Sequence, residues 1–129
     1  MDRVFIKLGS VMAFLSVLMG AFGAHALKSW KPPLSPLQLE DFQIGAQYQM
    51  YHALGLILVG LCIDRLGDSK NVRTAGWVLF AGIICFSGSL YAFALTGKRA
   101  FGALAPIGGT CFMVGWLLLA AAAWKAPKR

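Results

Sequence analysis

The chain has 129 residues, 58% hydrophobic and 13% charged, with a formal net charge of +7 and a mean hydropathy of +0.68. Soluble domains carry about 25% charged residues, so this composition excludes one, and the length leaves room for a single domain. The surplus of Lys and Arg would suit nucleic acid, but those residues sit in tails and between apolar runs, where they orient a membrane protein, so no nucleic-acid partner is expected.

Four stretches contain no Asp, Glu, Lys or Arg: Leu8–Leu27, Phe42–Ile63, Thr74–Gly97 and Ala100–Trp124. A helix rises ~1.5 Å per residue, so about 20 residues cross a hydrocarbon core of ~30 Å, and each stretch reaches that length. Open strands would leave unpaired backbone groups in lipid. The expected fold is therefore all-α, an integral membrane domain over 1–129. It is a compact four-transmembrane-helix bundle with helices at 4–27, 42–63, 74–97 and 105–124.

The first helix starts within "MDRVFIK" and ends at "GAFGAHALK", and this basic start, apolar run and "AHA" imitate a signal peptide with an Ala-x-Ala cleavage site. The apolar stretch before it is about 17 residues, longer than the usual 7–15 of such a signal, so a retained helix is expected. "KSWKPPLSPL" follows, and its prolines predict an irregular connection. The next segment turns gradually from polar to apolar. Its start, with Glu40 and Asp41, is expected along the membrane surface before helix two turns inward. "DRLGDSKNVR" is a short connection. Gly97 is the expected stop of helix three, "KRAFGAL" a turn, and Pro106 suits the first turn of helix four.

With four spans, both termini and the 64–73 loop share one side. They carry Arg3, Lys7, Arg65, Lys70, Arg73, Lys125, Lys128 and Arg129, against Lys28, Lys31, Lys98 and Arg99 on the other. Positive residues concentrate on the inner side, so both termini are expected in the cytoplasm. Cys62, Cys85 and Cys111 all lie in apolar segments with no metal-ligand spacing, and they read as packing residues. No metal or cofactor is expected.

Small residues recur at four-residue spacing, which lets helix backbones approach closely in lipid. Gly20, Gly23, Ala24, Gly88, Gly108 and Gly109 are the expected packing positions, and such ridges also favour self-association or a membrane partner beyond the lipid bilayer itself. The polar residues of the spans gather toward one end. Counting rise from each cytoplasmic charge puts His52 at ~18 Å, Gln49 at ~22 Å, Ser87 at ~21 Å, Thr110 at ~22 Å, and Tyr91 and His25 at ~27 Å. Tyr48 and Ser89 fall between them. Ionisable groups inside a membrane are functional candidates, so His25, Tyr48, Gln49, His52, Ser87, Ser89, Tyr91 and Thr110 are the expected lining of an outward-facing polar pocket. It would take a lipid headgroup, a small polar molecule or a partner helix. The plainer reading is that they bond one another and fix helix register. Bis-histidine haem ligation is disfavoured by the ~9 Å depth difference between His25 and His52. An oligomeric transporter or channel is the alternative, although no span contains the carboxylate that proton coupling would use. No acid or activated nucleophile accompanies the histidines, so an enzyme is not expected.

The segments "GAFGAHAL", "QYQMYHALGL", "SGSLYAFALTG" and "PIGGTCFMVGWLLLA" resemble, in order and over nearly the whole chain, the domain of unknown function 423 family of small bacterial inner-membrane proteins. Its eukaryotic relatives are called transmembrane protein 256. Matching positions include His25, Gln49, Tyr51, His52, Ser87, Gly88, Ser89, Tyr91, Pro106, Gly108 and Gly109. The resemblance implies four membrane helices and a plasma-membrane location, and no reaction or ligand. Ala103 and Ala105 depart from it, standing where such proteins carry a proline and a threonine.

Overall fold

The computed structural model describes residues 3–127. In chain order it contains α1 (Val4–His25), a 3-10 turn (Ala26–Ser29), α2 (Pro36–Leu66), α3 (Lys70–Gly82), a π-helical turn (Ile83–Ser87), α4 (Gly88–Thr96), a short α5 (Arg99–Gly102) and α6 (Ala105–Lys125). α3, the π turn and α4 continue into one another as a third span, Lys70–Thr96. Among the described residues, four helices are long and apolar enough to cross a membrane. Lys128 and Arg129, part of the basic count, lie outside the described residues.

The ends of these helices follow local chemistry. α2 opens six residues before the expected boundary, because Ser35 and Gln38 form a reciprocal cap. The Gln38 N–H donates to Ser35 Oγ at 3.2 Å and the Ser35 N–H to Gln38 Oε1 at 2.8 Å. Pro36 occupies the first helical turn, where its missing N–H is no loss, so one of the prolines expected to exclude helix instead starts one. The 31 residues of α2 span ~46 Å against a core of ~30 Å, so the turns bearing Gln38, Glu40 and Asp41 extend beyond the hydrocarbon. Ser69 caps α3 through the Val72 N–H, and just before it Arg73 grips Asp68 through two hydrogen bonds of 2.6 and 2.9 Å. Gly97 closes α4 in the left-handed region, φ 71°, with its N–H on the Phe93 carbonyl at 2.7 Å. The expected turn after it includes one short helix, Arg99–Gly102.

The packing is serial. α1 packs chiefly on α2, α2 on the third span, and the third span on α6. Half of α2's most apolar window is buried, against 17% for each of the flanking spans, so α2 and the third span form the centre and the flanks face lipid broadly. Three places fix α1. Near the termini Phe5, fully buried, wedges against Gly76 and sits edge-on to Trp77. Along the helix Gly9 meets the Ala53 carbonyl and Ile57, where any Cβ would collide. At the opposite end Leu27 joins Phe42 and Ala94 in a small buried cluster. Between Phe5 and Leu27, α1 and the third span draw apart.

Candidate functional site

That separation leaves a groove of about 300 Å3. Met12, Leu15 and Met19 of α1 form one wall, Ile83, Ile84 and Gly88 the other, and Gln49, Ser87 and Tyr91 supply its polar positions. The volume falls at the lower end of ligand pockets, roughly 300–1,000 Å3. The groove lies between α1 and the third span, and Ile84 and Gly88 on its far wall are exposed.

The floor is built from α2 outward. Gln49 is buried, its Nε2 donating to the Met12 carbonyl at 2.9 Å and its Oε1 accepting from the Tyr91 hydroxyl at 2.6 Å. One amide thus ties α1 to α4 across α2. Ser87 donates to the Gly45 carbonyl and Ser16 to the Ala46 carbonyl, both at 2.7 Å, so consecutive α2 carbonyls receive hydroxyls from opposite flanks. Each carbonyl has a second lone pair, so α2 keeps its own ladder. The π turn contributes through the Gly88 N–H, which reaches five residues back to Ile83. Single π turns inside α-helices recur at functional sites. Donors and acceptors remain available: the second Gln49 N–H and the acceptor lone pairs of the Tyr91 and Ser87 oxygens.

The structure does not bring all of the expected pocket together. Gln49, Ser87 and Tyr91 share the groove. Tyr48 and His52 occupy the seam with α6 instead. His52 lies flat on Phe112, centroids 3.5 Å apart at 6°, with Trp116 at 5.7 Å, and Tyr48 packs on Phe86 at 5.0 Å. His52 Nδ1 stands 2.8 Å from the Tyr48 carbonyl, which can only accept, so Nδ1 carries the hydrogen. Ser89 and Thr110 spend their hydroxyls on the Phe86 and Pro106 carbonyls of their own segments. His25 is exposed at the far end of α1.

Helix register explains His25. Ile6 packs at Gly60, Ser16 bonds Ala46 and Gly23 abuts Phe42, so Lys7 sits at least one turn inside Asp64 rather than level with it. His25 and His52 are then roughly 20 Å apart along the bundle, twice the spacing counted from charges alone. The packing positions are corrected likewise. Gly23 and Gly108 meet neighbours closely, Gly108 against the Phe86 backbone, whereas Gly20, Gly88 and Gly109 face open space. Ala24 is half-buried. Sequence reasoning missed Met12, Leu15, Met19, Ile83 and Ile84 as groove walls. The first three recur at i, i+3 and i+7, a face that looked like any lipid-facing stripe.

Comparison with known proteins adds a family to this geometry. The family model "Protein of unknown function (DUF423)" matches residues 19–109. The chain is 47% identical to the "UPF0382 membrane protein YwdK" of Bacillus subtilis, over 95% of this chain and 98% of that one. The chain belongs to the DUF423 family. Other DUF423 relatives are a UPF0382 membrane protein of Staphylococcus epidermidis, 48% identical over 95% of this chain and 97% of that one, and one of Staphylococcus aureus at 43% over the same shares. No solved structure matches. The relatives are named as membrane proteins, and with four apolar spans this DUF423 chain is a multi-pass protein of a bacterial membrane. The matched region includes the whole third-span wall and the polar floor, while Met12 and Leu15 precede it.

Proposed function

We propose that this chain is a binding protein for one amphiphilic molecule drawn from the bilayer, with both termini in the cytoplasm. The molecule's chain lies along Met12, Met19 and Ile84, and its polar group meets Gln49, Ser87 and Tyr91. The observation that carries this reading is an apolar groove between two spans with a small set of convergent polar groups at its floor. That combination of shape and chemistry is what small-molecule sites share. Binding fits better than catalysis because the groove is lined by no carboxylate, imidazole, amine or thiol. It fits better than conduction because Phe5, Leu56, Val59, Ile63 and Leu79 fill the half of the bundle nearest the termini. The basic residues gathered at that same end support its cytoplasmic placement.

Thermal unfolding of delipidated protein tests the reading. Returning lipid extract raises Tm, since a ligand that binds only the folded state stabilises it by mass action. In Gly88→Leu, whose new side chain enters groove space that is open in the wild type, the lipid-free Tm is preserved and the rise disappears. A full rise in that variant contradicts the groove as the site.

A further inference from the structure

The depth of the groove's polar floor narrows the class of molecule it can take, a narrowing that rests on the groove reading just given. We propose that the occupant is a long-chain alcohol, a lipid whose whole head is one uncharged hydroxyl. That hydroxyl accepts from the second Gln49 N–H and donates to the Tyr91 oxygen.

Three observations lead there. First, the floor lies within the apolar part of the bundle, away from every charge on α1 and α2. The Gln49 amide bonds the Met12 carbonyl, and along these two helices the nearest charges are Lys7, ~8 Å toward the termini, and Asp41, ~12 Å the other way. The buried cluster of Leu27, Phe42 and Ala94 stands between the groove and that other end, so a head held at Gln49 does not extend into the headgroup layer there. Second, nothing lining the groove is charged. An ionised group buried without a partner is costly, which disfavours phosphate, carboxylate and ammonium heads. Third, the spare hydrogen-bonding capacity has both signs. Gln49 is 4% exposed, and one of its amide hydrogens goes to Met12 while the other is left over. The Tyr91 hydroxyl gives its hydrogen to Gln49 Oε1 and keeps an acceptor lone pair. Ser87 is 1% exposed, so the half-buried Tyr91 is the more open acceptor. An ester or ketone only accepts and would use the Gln49 N–H alone. A hydroxyl is donor and acceptor in one atom and uses both groups.

The test is equilibrium binding of oleyl alcohol, methyl oleate, 1-octadecene and ionised oleate to delipidated full-length protein in mild detergent, each referred to its mole fraction in the micelle. These probes share a long hydrocarbon chain and differ at the head. A hydrogen bond in a membrane is worth about threefold in affinity, so wild type is expected to bind oleyl alcohol about threefold tighter than methyl oleate and about tenfold tighter than octadecene. Oleate is expected to bind at least about tenfold more weakly than the alcohol. Gln49→Leu with Tyr91→Phe removes both partners of the hydroxyl, and this variant is expected to bind alcohol, ester and alkene within about twofold of one another. Wild type that binds the ester or oleate as tightly as the alcohol overturns the proposal, as does an undiminished preference in the folded double variant. Should that variant not fold, the wild-type series decides alone. Gly88→Leu separates the two claims. If it loses all four probes while wild type treats their heads alike, the groove stands and the hydroxyl assignment falls. If it retains oleyl alcohol at wild-type affinity, the groove reading itself falls.

Discussion

Gln49 carries more of the tertiary connection than any neighbouring polar residue, because its amide holds α1 through one atom and α4 through the other. Hydrogen bonds between helices in membranes average about 0.6 kcal/mol and reach about 1.7. Tyr91→Phe removes one such bond and is expected to cost about 0.6 kcal/mol in detergent unfolding. Gln49→Leu also leaves the half-buried Tyr91 hydroxyl without its partner, so about 1.7 kcal/mol is expected. The double variant is expected to cost less than the sum, since both changes break one shared bond. Outside the membrane Asp68 offers a cleaner electrostatic prediction. The Arg73 guanidinium hydrogen-bonds its carboxylate and holds its pKa below the ordinary carboxylate value. A depressed folded-state pKa stabilises the fold at neutral pH, and that contribution is lost as pH falls through the folded value. The pair is exposed, so the effect on stability is small. NMR titration is expected to show Asp68 titrating low in wild type and returning to the ordinary range in Arg73→Gln.

At the scale of helices, adjacent glycines behave oppositely. Gly108 lets α6 approach the Phe86 backbone at the π turn, and a Cβ there has no room. Overpacking of this kind costs typically 1–3 kcal/mol, about the loss expected for Gly108→Ala in chemical unfolding. Gly109 faces open space, so Gly109→Ala is expected to be neutral or to gain about 0.5–1 kcal/mol from helix propensity. Equal effects of the two substitutions would contradict the observed rotation of α6. The spans themselves were legible in the sequence because charge-free runs are a direct consequence of the bilayer. Gly97 as a stop and Pro106 as a start were legible for the same local reasons. The early start of α2 is obscured because Pro36 follows two other prolines in a stretch that reads as irregular, whereas its place directly after Ser35 makes it a first-turn residue. The π turn left no sequence signal that period or propensity would reveal.

For the whole molecule, the outcome differs between level and direction. Counting from charges puts Gln49 and Ser87 at one depth and Tyr91 about one helical turn beyond, and the Tyr91 side chain reaches back to bond Gln49 while Ser87 bonds the α2 backbone nearby. The same count could not say which helix faces which. His52 and Gln49 are three residues apart on α2, yet one faces the aromatic seam with α6 and the other the groove beside α1. Serial packing, in which α1 rides mainly on α2, creates the groove, and no periodicity within a single helix encodes that arrangement. It also explains a polar floor beneath apolar walls: hydrogen bonds hold α1 at the distance where its side chains no longer fill the space against the third span. The account therefore stands on the groove holding one molecule. Native mass spectrometry of gently solubilised wild type, Gly88→Leu and Gly109→Leu counts that molecule directly. One bound amphiphile per chain is expected in wild type and Gly109→Leu and none in Gly88→Leu. Equal retention in all three, or no bound amphiphile in any, would contradict it.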